Sequence, residues 1–413
     1  MALRKRIAAV VEYAFDHSVF LMIGAVAAMA WANAAPQGYS ALIDAPLWVN
    51  PYLGALRPDG LRVLTPLFLV NEVMMFFFFA MTGKVIWECT HPGGPFHEPR
   101  VAAVPLIATV GGMAAPAAVY LALAAMTGHA AELARGCAVP CATDVAFSYV
   151  AARLVFGRGH PAIAFLLTLA VADDFGGLLV IALFYGQADG HVAWLLLSAA
   201  AVGLAWAMRR AGVRHAVWYL LLPGALSWIG FYRGGVHPAL AFLPVIPILP
   251  HTHDYRPAGS VIEAAPGDTL DQLHAILRRP IELALGLFGL MNAGVSLAAA
   301  GPATWPVAVG LLIGKPAGIF LFGAGAALAL RGGLPGGMRL RDLLTAGCAA
   351  GIGFTVALFV ARVAFPPGAT QDAARMGALM SFAAFLVTLI VGAALRVSRA
   401  AGPPGVKPSR LTF

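Results

Sequence analysis

The chain alternates long apolar runs with short polar joints from one end to the other. Twelve runs stand out, at about 18–34, 63–87, 102–126, 132–155, 161–185, 191–208, 214–230, 235–250, 280–300, 303–330, 342–366 and 374–397. A hydrocarbon core of ~30 Å is crossed by about 20 helical residues. Lipid tolerates exposed backbone only in helices and closed barrels. The pattern therefore predicts an all-α integral membrane protein of about twelve transmembrane helices, with residues 1–413 forming one polytopic domain.

Two of the runs carry helix breakers. The fourth reads Cys137-Ala138-Val139-Pro140-Cys141-Ala142-Thr143-Asp144. Pro140 removes a backbone donor and clashes with the preceding turn, and a charge follows it inside an apolar segment. The eleventh reads Gly351-Ile352-Gly353-Phe354-Thr355. Its two glycines either loosen the helix or admit a close neighbour, as small residues do at membrane helix interfaces. Irregular backbone survives at membrane depth only inside protein or beside a water-filled cavity. Runs three to five and ten to twelve thus form two triples, each broken in its middle member. With a cytoplasmic N-terminus the triples run in opposite directions, the expected sign of an inverted repeat with its site where the breaks meet. The expected core is 102–185 with 303–397, and 18–87 with 191–300 supply interface or scaffold helices.

Charge confirms the membrane reading and orients it. Apolar residues make up 60% of the chain and charged ones 11%, against roughly 25% charged in a soluble domain. The net charge of +8 could suggest a nucleic-acid partner, but its placement argues otherwise. With Met1 to Arg6 inside, nineteen lysines and arginines fall in cytoplasmic segments and five outside, a positive-inside asymmetry. Both termini are then cytoplasmic. The polar stretch 251–271, within the cytoplasmic loop 251–279, is too short to fold a core of its own. Cys89, Cys137, Cys141 and Cys348 have no accompanying ligand set and read as small buried hydrophobes.

The ionisable residues inside the runs are few: Glu72, Lys84, Asp144, Asp173, Asp174, Lys315, and at the margins Glu282 and Arg362. Each is costly there and marks a functional site by default; the plain alternative is a buried salt bridge. The adjacent pair Asp173-Asp174 is the sharpest anomaly, because two carboxylates side by side need compensation by cations or protons. At 1.5 Å per residue, Asp144 lies roughly 15–18 Å from the turn near Gly159, and Asp174 about 20 Å from it. Lys315 and the break at Gly351–Thr355 reach a similar depth. Carboxylate, hydroxyl and freed carbonyl oxygens are hard ligands suited to a small alkali cation. A cation and a proton that cannot share one carboxylate displace one another, and with alternating access this gives obligatory exchange.

Six motifs in order carry a family resemblance. They are Ala142-Thr143-Asp144-Val145-Ala146-Phe147, Asp173-Asp174-Phe175-Gly176, Gly235-Val236-His237, Asn292-Ala293-Gly294-Val295-Ser296, Leu311-Leu312-Ile313-Gly314-Lys315-Pro316 and Gly351-Ile352-Gly353-Phe354-Thr355. Together, from Asp16 to about Ala394, the chain resembles the NhaA family of bacterial sodium/proton antiporters. The resemblance implies twelve helices with two crossed, unwound ones, and residence in the bacterial inner membrane. It implies electrogenic export of Na⁺ or Li⁺ driven by proton entry, no cofactor, a homodimer in the lipid bilayer, and a role in pH and sodium homeostasis. On matching positions, Asp174 looks like the principal cation ligand and proton carrier, Asp173 like the second carboxylate, Lys315 like its partner and Thr143 like a cation-site neighbour. Asp144 looks like the residue that balances the helix ends. The chain departs from the family pattern at Glu72, one methylene longer than the usual Asp, and at Lys84, where a glutamate is usual. With His237 these are candidate modulators of pH response.

Two other readings are open to the sequence. A sodium-coupled carrier of an organic anion could use a similar crossed-helix fold, with a roomier and less acidic cavity. An intramembrane aspartyl hydrolase would place its two acids on different helices, whereas neighbours on one helix point about 100° apart, which argues against an enzyme.

Overall fold

The computed structural model describes residues 19–57, 60–92, 94–97, 99–157, 159–186, 190–251, 268–330 and 333–398. The basic start Met1 to Arg6, Asp16, most of the 251–271 stretch, Arg158, Arg331 and the C-terminal basic residues from Arg399 on lie outside them.

The described chain is mostly helical. Six helices are long and apolar enough to cross a membrane: Pro66–Cys89, Ala102–Met126, Pro161–Phe184, Val192–Arg210, Thr304–Ala329 and Ala369–Ala394. Two bent pairs bring the number to eight: Ala130–Cys141 with Val145–Phe156 at 53°, and Leu340–Ala350 with Phe354–Ala364 at 51°. Both bends fall at the breakers read from the sequence. The other expected runs are less regular. Run one is the shorter helix Val19–Ala34. Run nine is a helix, Thr269–Asn292, that starts before and stops short of the expected span. Run eight, 235–250, is not a continuous helix but turns and short 3₁₀ pieces, Pro238–Leu240 and Ile246–Ile248. Pro238, Pro244, Pro247 and Pro250 explain it, since each lacks the amide proton an α-helix needs.

The chain divides into two compact units. The first contains residues up to Glu88 and Ile181–Ser296. In it, Val19–Ala34 lies against Thr269–Asn292 through glycines: a Cβ on Gly289 would stand 2.7 Å from Leu21 O, and one on Gly24 would strike the Gly286 carbonyl. This is the small-residue approach expected where apolar burial gives helices no reason to associate in lipid. The segment before run two, with the first residues of that run, forms a small antiparallel sheet, strand Arg62–Leu64 lying between Trp48–Asn50 and Ala55–Leu56. The Tyr232 hydroxyl anchors it, accepting from Gly54 N and Arg62 Nη1 and donating to Gly54 O.

The second unit contains Cys89–Val180 and the described residues from Leu297 to Ser398. Its spine is the pairing of Ala102–Met126 with Lys315–Ala329. There Gly111 and Gly318 meet backbone to backbone, a Cβ on Gly111 falling 2.5 Å from Gly318 O. Just before Lys315 the helix widens to a π-turn, Gly310–Gly314. Pro316 cannot donate to Leu312 O, and local π geometry is one way a helix absorbs such a loss. Gly310 and Gly314 leave room for Pro140 and Pro116 respectively.

Candidate cation site

The second unit gathers five of the residues singled out in the sequence. Asp173 and Asp174 ride on the unbroken helix Pro161–Phe184. Asp173 is buried, while Asp174, rotated about 100° from it, is half-buried. Lys315 has no exposed surface. Its Nζ stands 2.8 Å from Asp173 Oδ2 and donates to Cys141 O at 2.5 Å. Cys141 ends the 3₁₀ segment Ala134–Cys141, so its carbonyl is one that the break leaves without a helical donor. The lysine thus answers a carboxylate and a negative helix end together. Thr143 Oγ1 lies 2.8 Å from Asp173 Oδ2 and 3.0 Å from Ala350 O, and its one proton is shared between them.

The remaining oxygens matter most. Asp173 Oδ1 and Asp174 Oδ1 are buried without a hydrogen-bond partner among the described residues. Buried polar atoms are nearly always satisfied, and each exception calls for a reason. The charged groups close enough to act on Asp174 are Asp173, Asp144 and Lys315. Two unpartnered carboxylate oxygens beside a threonine hydroxyl are hard donors that a small cation or a proton would satisfy.

Asp144 is arranged in the opposite way. It caps its own helix, Oδ1 accepting from Phe147 N at 3.3 Å, while Oδ2 accepts from Thr355 N at 3.2 Å and Thr355 Oγ1 at 2.7 Å. Both helix N-termini, Val145–Phe156 and Phe354–Ala364, therefore end on one carboxylate. The C-terminal carbonyls of Leu340–Ala350 are met from the other break: Ser148 Oγ donates to Ala349 O at 2.7 Å and Thr143 Oγ1 approaches Ala350 O. Asp144 N donates to Ile352 O at 2.6 Å. Gly351 and Gly353 serve close approach: a Cβ on Gly351 would lie 2.7 Å from Leu311 O, and one on Gly353 2.9 Å from Ala142 O. Neither has a positive φ.

Glu72, Lys84 and His237 belong to the first unit. Glu72 lies in a π-turn, Leu69–Met74, with its Oε2 3.5 Å from His237 Nδ1. Gly235, left-handed at φ 83°, closes Ala225–Gly234 and turns the chain toward His237. Lys84 has an ion-pair partner that the sequence reading missed: Glu88, one turn along, at 2.7 Å. The i,i+4 spacing was the available signal. Thr355, Ser148 and the Cys141 carbonyl were also missed as site groups. Among the described residues no cluster of three or more His, Cys, Asp or Glu side chains is poised to hold a metal, and no disulfide joins the cysteines.

The family model described as Na+/H+ antiporter 1 matches residues 9–395. The chain belongs to this family. Among its relatives, the Na(+)/H(+) antiporter NhaA of Jannaschia sp. (strain CCS1) is 45% identical, the alignment covering 93% of this chain and 97% of that protein. The Na(+)/H(+) antiporter NhaA 2 of Pelobacter propionicus is 44% identical and the NhaA of Geobacter metallireducens 41%, each over 93% of this chain and 97% of theirs. The Na+/H+ antiporter 1 match runs through both broken helix pairs and the helix bearing Asp173 and Asp174. This is a multi-pass membrane protein of the NhaA kind, and the family resemblance read from its motifs holds.

Proposed function

We propose that the protein exports Na⁺ or Li⁺ in electrogenic exchange for protons across a bacterial inner membrane, with cation and proton competing for the Asp173-Asp174 pair. The observation that carries this reading is the pair of unpartnered buried oxygens, Asp173 Oδ1 and Asp174 Oδ1. Asp174 is the principal ligand and proton carrier, because among these acids it alone has no basic or hydroxyl partner on its carboxylate among the described residues. Asp173, held by Lys315 and Thr143, is the second carboxylate. Binding of a cation or a proton at Asp174 changes the charge felt by Asp173, so Lys315 is placed to respond. Asp144 balances the two helix ends and takes no part in ligation.

The finer architecture belongs to the same proposal. Twelve spans, two inverted triples with crossing breaks and a core of 102–185 and 303–397 follow from the opposed orientation of the runs. The arginine and lysine asymmetry supports cytoplasmic termini, and the family supports a homodimer. No catalytic step is required. The organic-anion reading gains nothing from this site, whose unsatisfied buried oxygens would repel an anion.

The test is sodium-induced collapse of a preset pH gradient in vesicles, compared between wild type and Asp174→Asn. Wild type is expected to exchange Na⁺ and Li⁺, and the variant to lose exchange while still inserting. Wild-type rates in Asp174→Asn would overturn the site. Anion uptake by wild type with no sodium efflux would overturn the function.

A further inference from the structure

A third interruption lies in the second unit, and no proline or glycine marks it in the chain. The span Ala369–Ala394 consists of two helices, Ala369–Met380 and Ala383–Ala394, joined at Ser381 and Phe382. The joint is held by i,i+3 bonds, Ser381 N to Ala378 O, Phe382 N to Leu379 O and Ala384 N to Ser381 O. Ser381 has no exposed surface. Its hydroxyl donates to Ala378 O at 2.6 Å and accepts from Gly353 N at 3.2 Å.

That second bond matters because of where Gly353 stands. Gly353 is the N-cap of Phe354–Ala364 and, as glycine, has no side chain with which to cap its own helix. A buried N–H at a helix start is destabilising unless it finds an acceptor. Ser381 supplies the acceptor from a third helix. Its neighbour Phe382 packs on Phe354 at 4.7 Å and on Phe147 at 5.1 Å between ring centroids. Phe147 and Phe354 lie in the first turns of the two helices whose N-termini end on Asp144. Residues 381 and 382 therefore grip both helix starts, one through a backbone N–H and the other through aromatic packing.

We propose that Ser381 is a positioning residue for the cation site. Through Gly353 it sets the start of Phe354–Ala364, and with it the placing of Thr355 on Asp144 and of the Ala350 and Ile352 carbonyls against Thr143 and Asp144. It touches neither cation nor proton. This inference rests on the exchange reading above, so wild-type exchange is established first, and its absence would count against that reading and not against Ser381.

The experiment compares wild type, Ser381→Ala and Ser381→Thr in proteoliposomes. Apparent KM for Na⁺ and for Li⁺, turnover per folded protein and melting temperature are measured. Ser381→Ala is expected to raise apparent KM for Na⁺ about three- to tenfold, the weight of one hydrogen bond, with turnover within about twofold and an altered Na⁺/Li⁺ ratio. Ser381→Thr, which keeps the hydroxyl, is expected to recover most of the affinity. An unchanged KM in Ser381→Ala, whatever the yield or melting temperature, overturns the proposal. If Ser381→Ala does not accumulate in the membrane, Ser381→Cys decides, as a weaker acceptor of similar size. A raised KM supports positioning. A wild-type KM, or failure of that variant to accumulate as well, makes the residue structural and overturns the proposal.

Discussion

Asp144 and Asp174 are the same side chain in the same apolar unit, yet their surroundings differ in kind. At the meeting of the two breaks, Asp144 has both oxygens taken by the starts of two helices and by Thr355. On the unbroken helix Pro161–Phe184, Asp174 Oδ1 has no hydrogen-bond partner among the described residues, and neither has Oδ1 of its neighbour Asp173. An acid whose acceptors are filled by backbone holds structure together. An acid left with a bare oxygen in an apolar interior calls for a reason, and the reason proposed above is a cation or proton that arrives and leaves. On the reading proposed above, the same side chain divides into a cap and a port according to who donates to it.

The sharpest way to break this contrast is to neutralise each acid in turn. Asp174→Asn should lower exchange about a hundredfold or more, since losing a charged partner from a buried site costs about 2–5 kcal/mol, while its melting temperature stays near wild type. Asp144→Ala should do the reverse in kind, costing about 2–4 kcal/mol of stability as two helix starts lose their acceptor. Thermal melts in detergent beside vesicle exchange would decide. If Asp144→Ala melts as wild type and Asp174→Asn does not, the assignment of cap and port is backwards.

Lys315→Ala probes the boundary between the two cases, because its ammonium answers Asp173 and the Cys141 carbonyl. Its pH–rate profile should be displaced from wild type by about one unit or more, as expected when a coupled pair loses its counter-charge; a superimposable profile would separate Lys315 from the site. Thr355→Val should cost about 1–2 kcal/mol, less than Asp144→Ala, because Thr355 N still donates to Asp144. Equal losses would show that the hydroxyl and not the carboxylate organises the break.

The smallest effect concerns the first unit. His274, ahead of the expected ninth span, is pushed down to about 4 by burial, with Lys84 and Arg278 adding to the effect. A histidine depressed in the folded state is neutral there while its unfolded form takes up a proton. Stability is therefore full above about 6.5 and is lost as pH falls from there toward 4. His274→Gln should flatten the fall in melting temperature across that window. A slope unchanged by the substitution would show that other groups set it.

Much of the site was legible because its residues are expensive. Asp173, Asp174, Asp144 and Lys315 stand out in apolar runs on cost alone, and Pro140 announces its break. The less visible parts are cheap residues whose meaning depends on contact. Thr355 and Ser148 look like ordinary small polar residues until the breaks bring them to Asp144 and to Ala349 O. Ser381 sits in an unremarked apolar run, and no local rule predicts that it caps a helix starting at residue 354. The glycines at 351 and 353 were legible either as breakers or as residues of close approach, and their φ angles show that clearance for Leu311 and Ala142 is what requires them. Run eight misled because hydropathy does not register the missing amides of four prolines.

The glycine contacts along the spine have a mechanical side. Where Gly111 faces Gly318, Gly351 faces Leu311 O and Gly353 faces Ala142 O, backbone lies against backbone, with the Phe322 and Leu311 side chains packed beside the contacts. Such surfaces have little slack, since main chain offers no rotamers to shuffle as one element passes another. They interlock like gear teeth, and a shift of even one methyl's width would have to be taken by main chain. Sliding of one of these elements past the other is therefore opposed at every glycine contact. Gly318→Ala should then act as a jammed tooth, disturbing assembly of the whole block and not the affinity of its site.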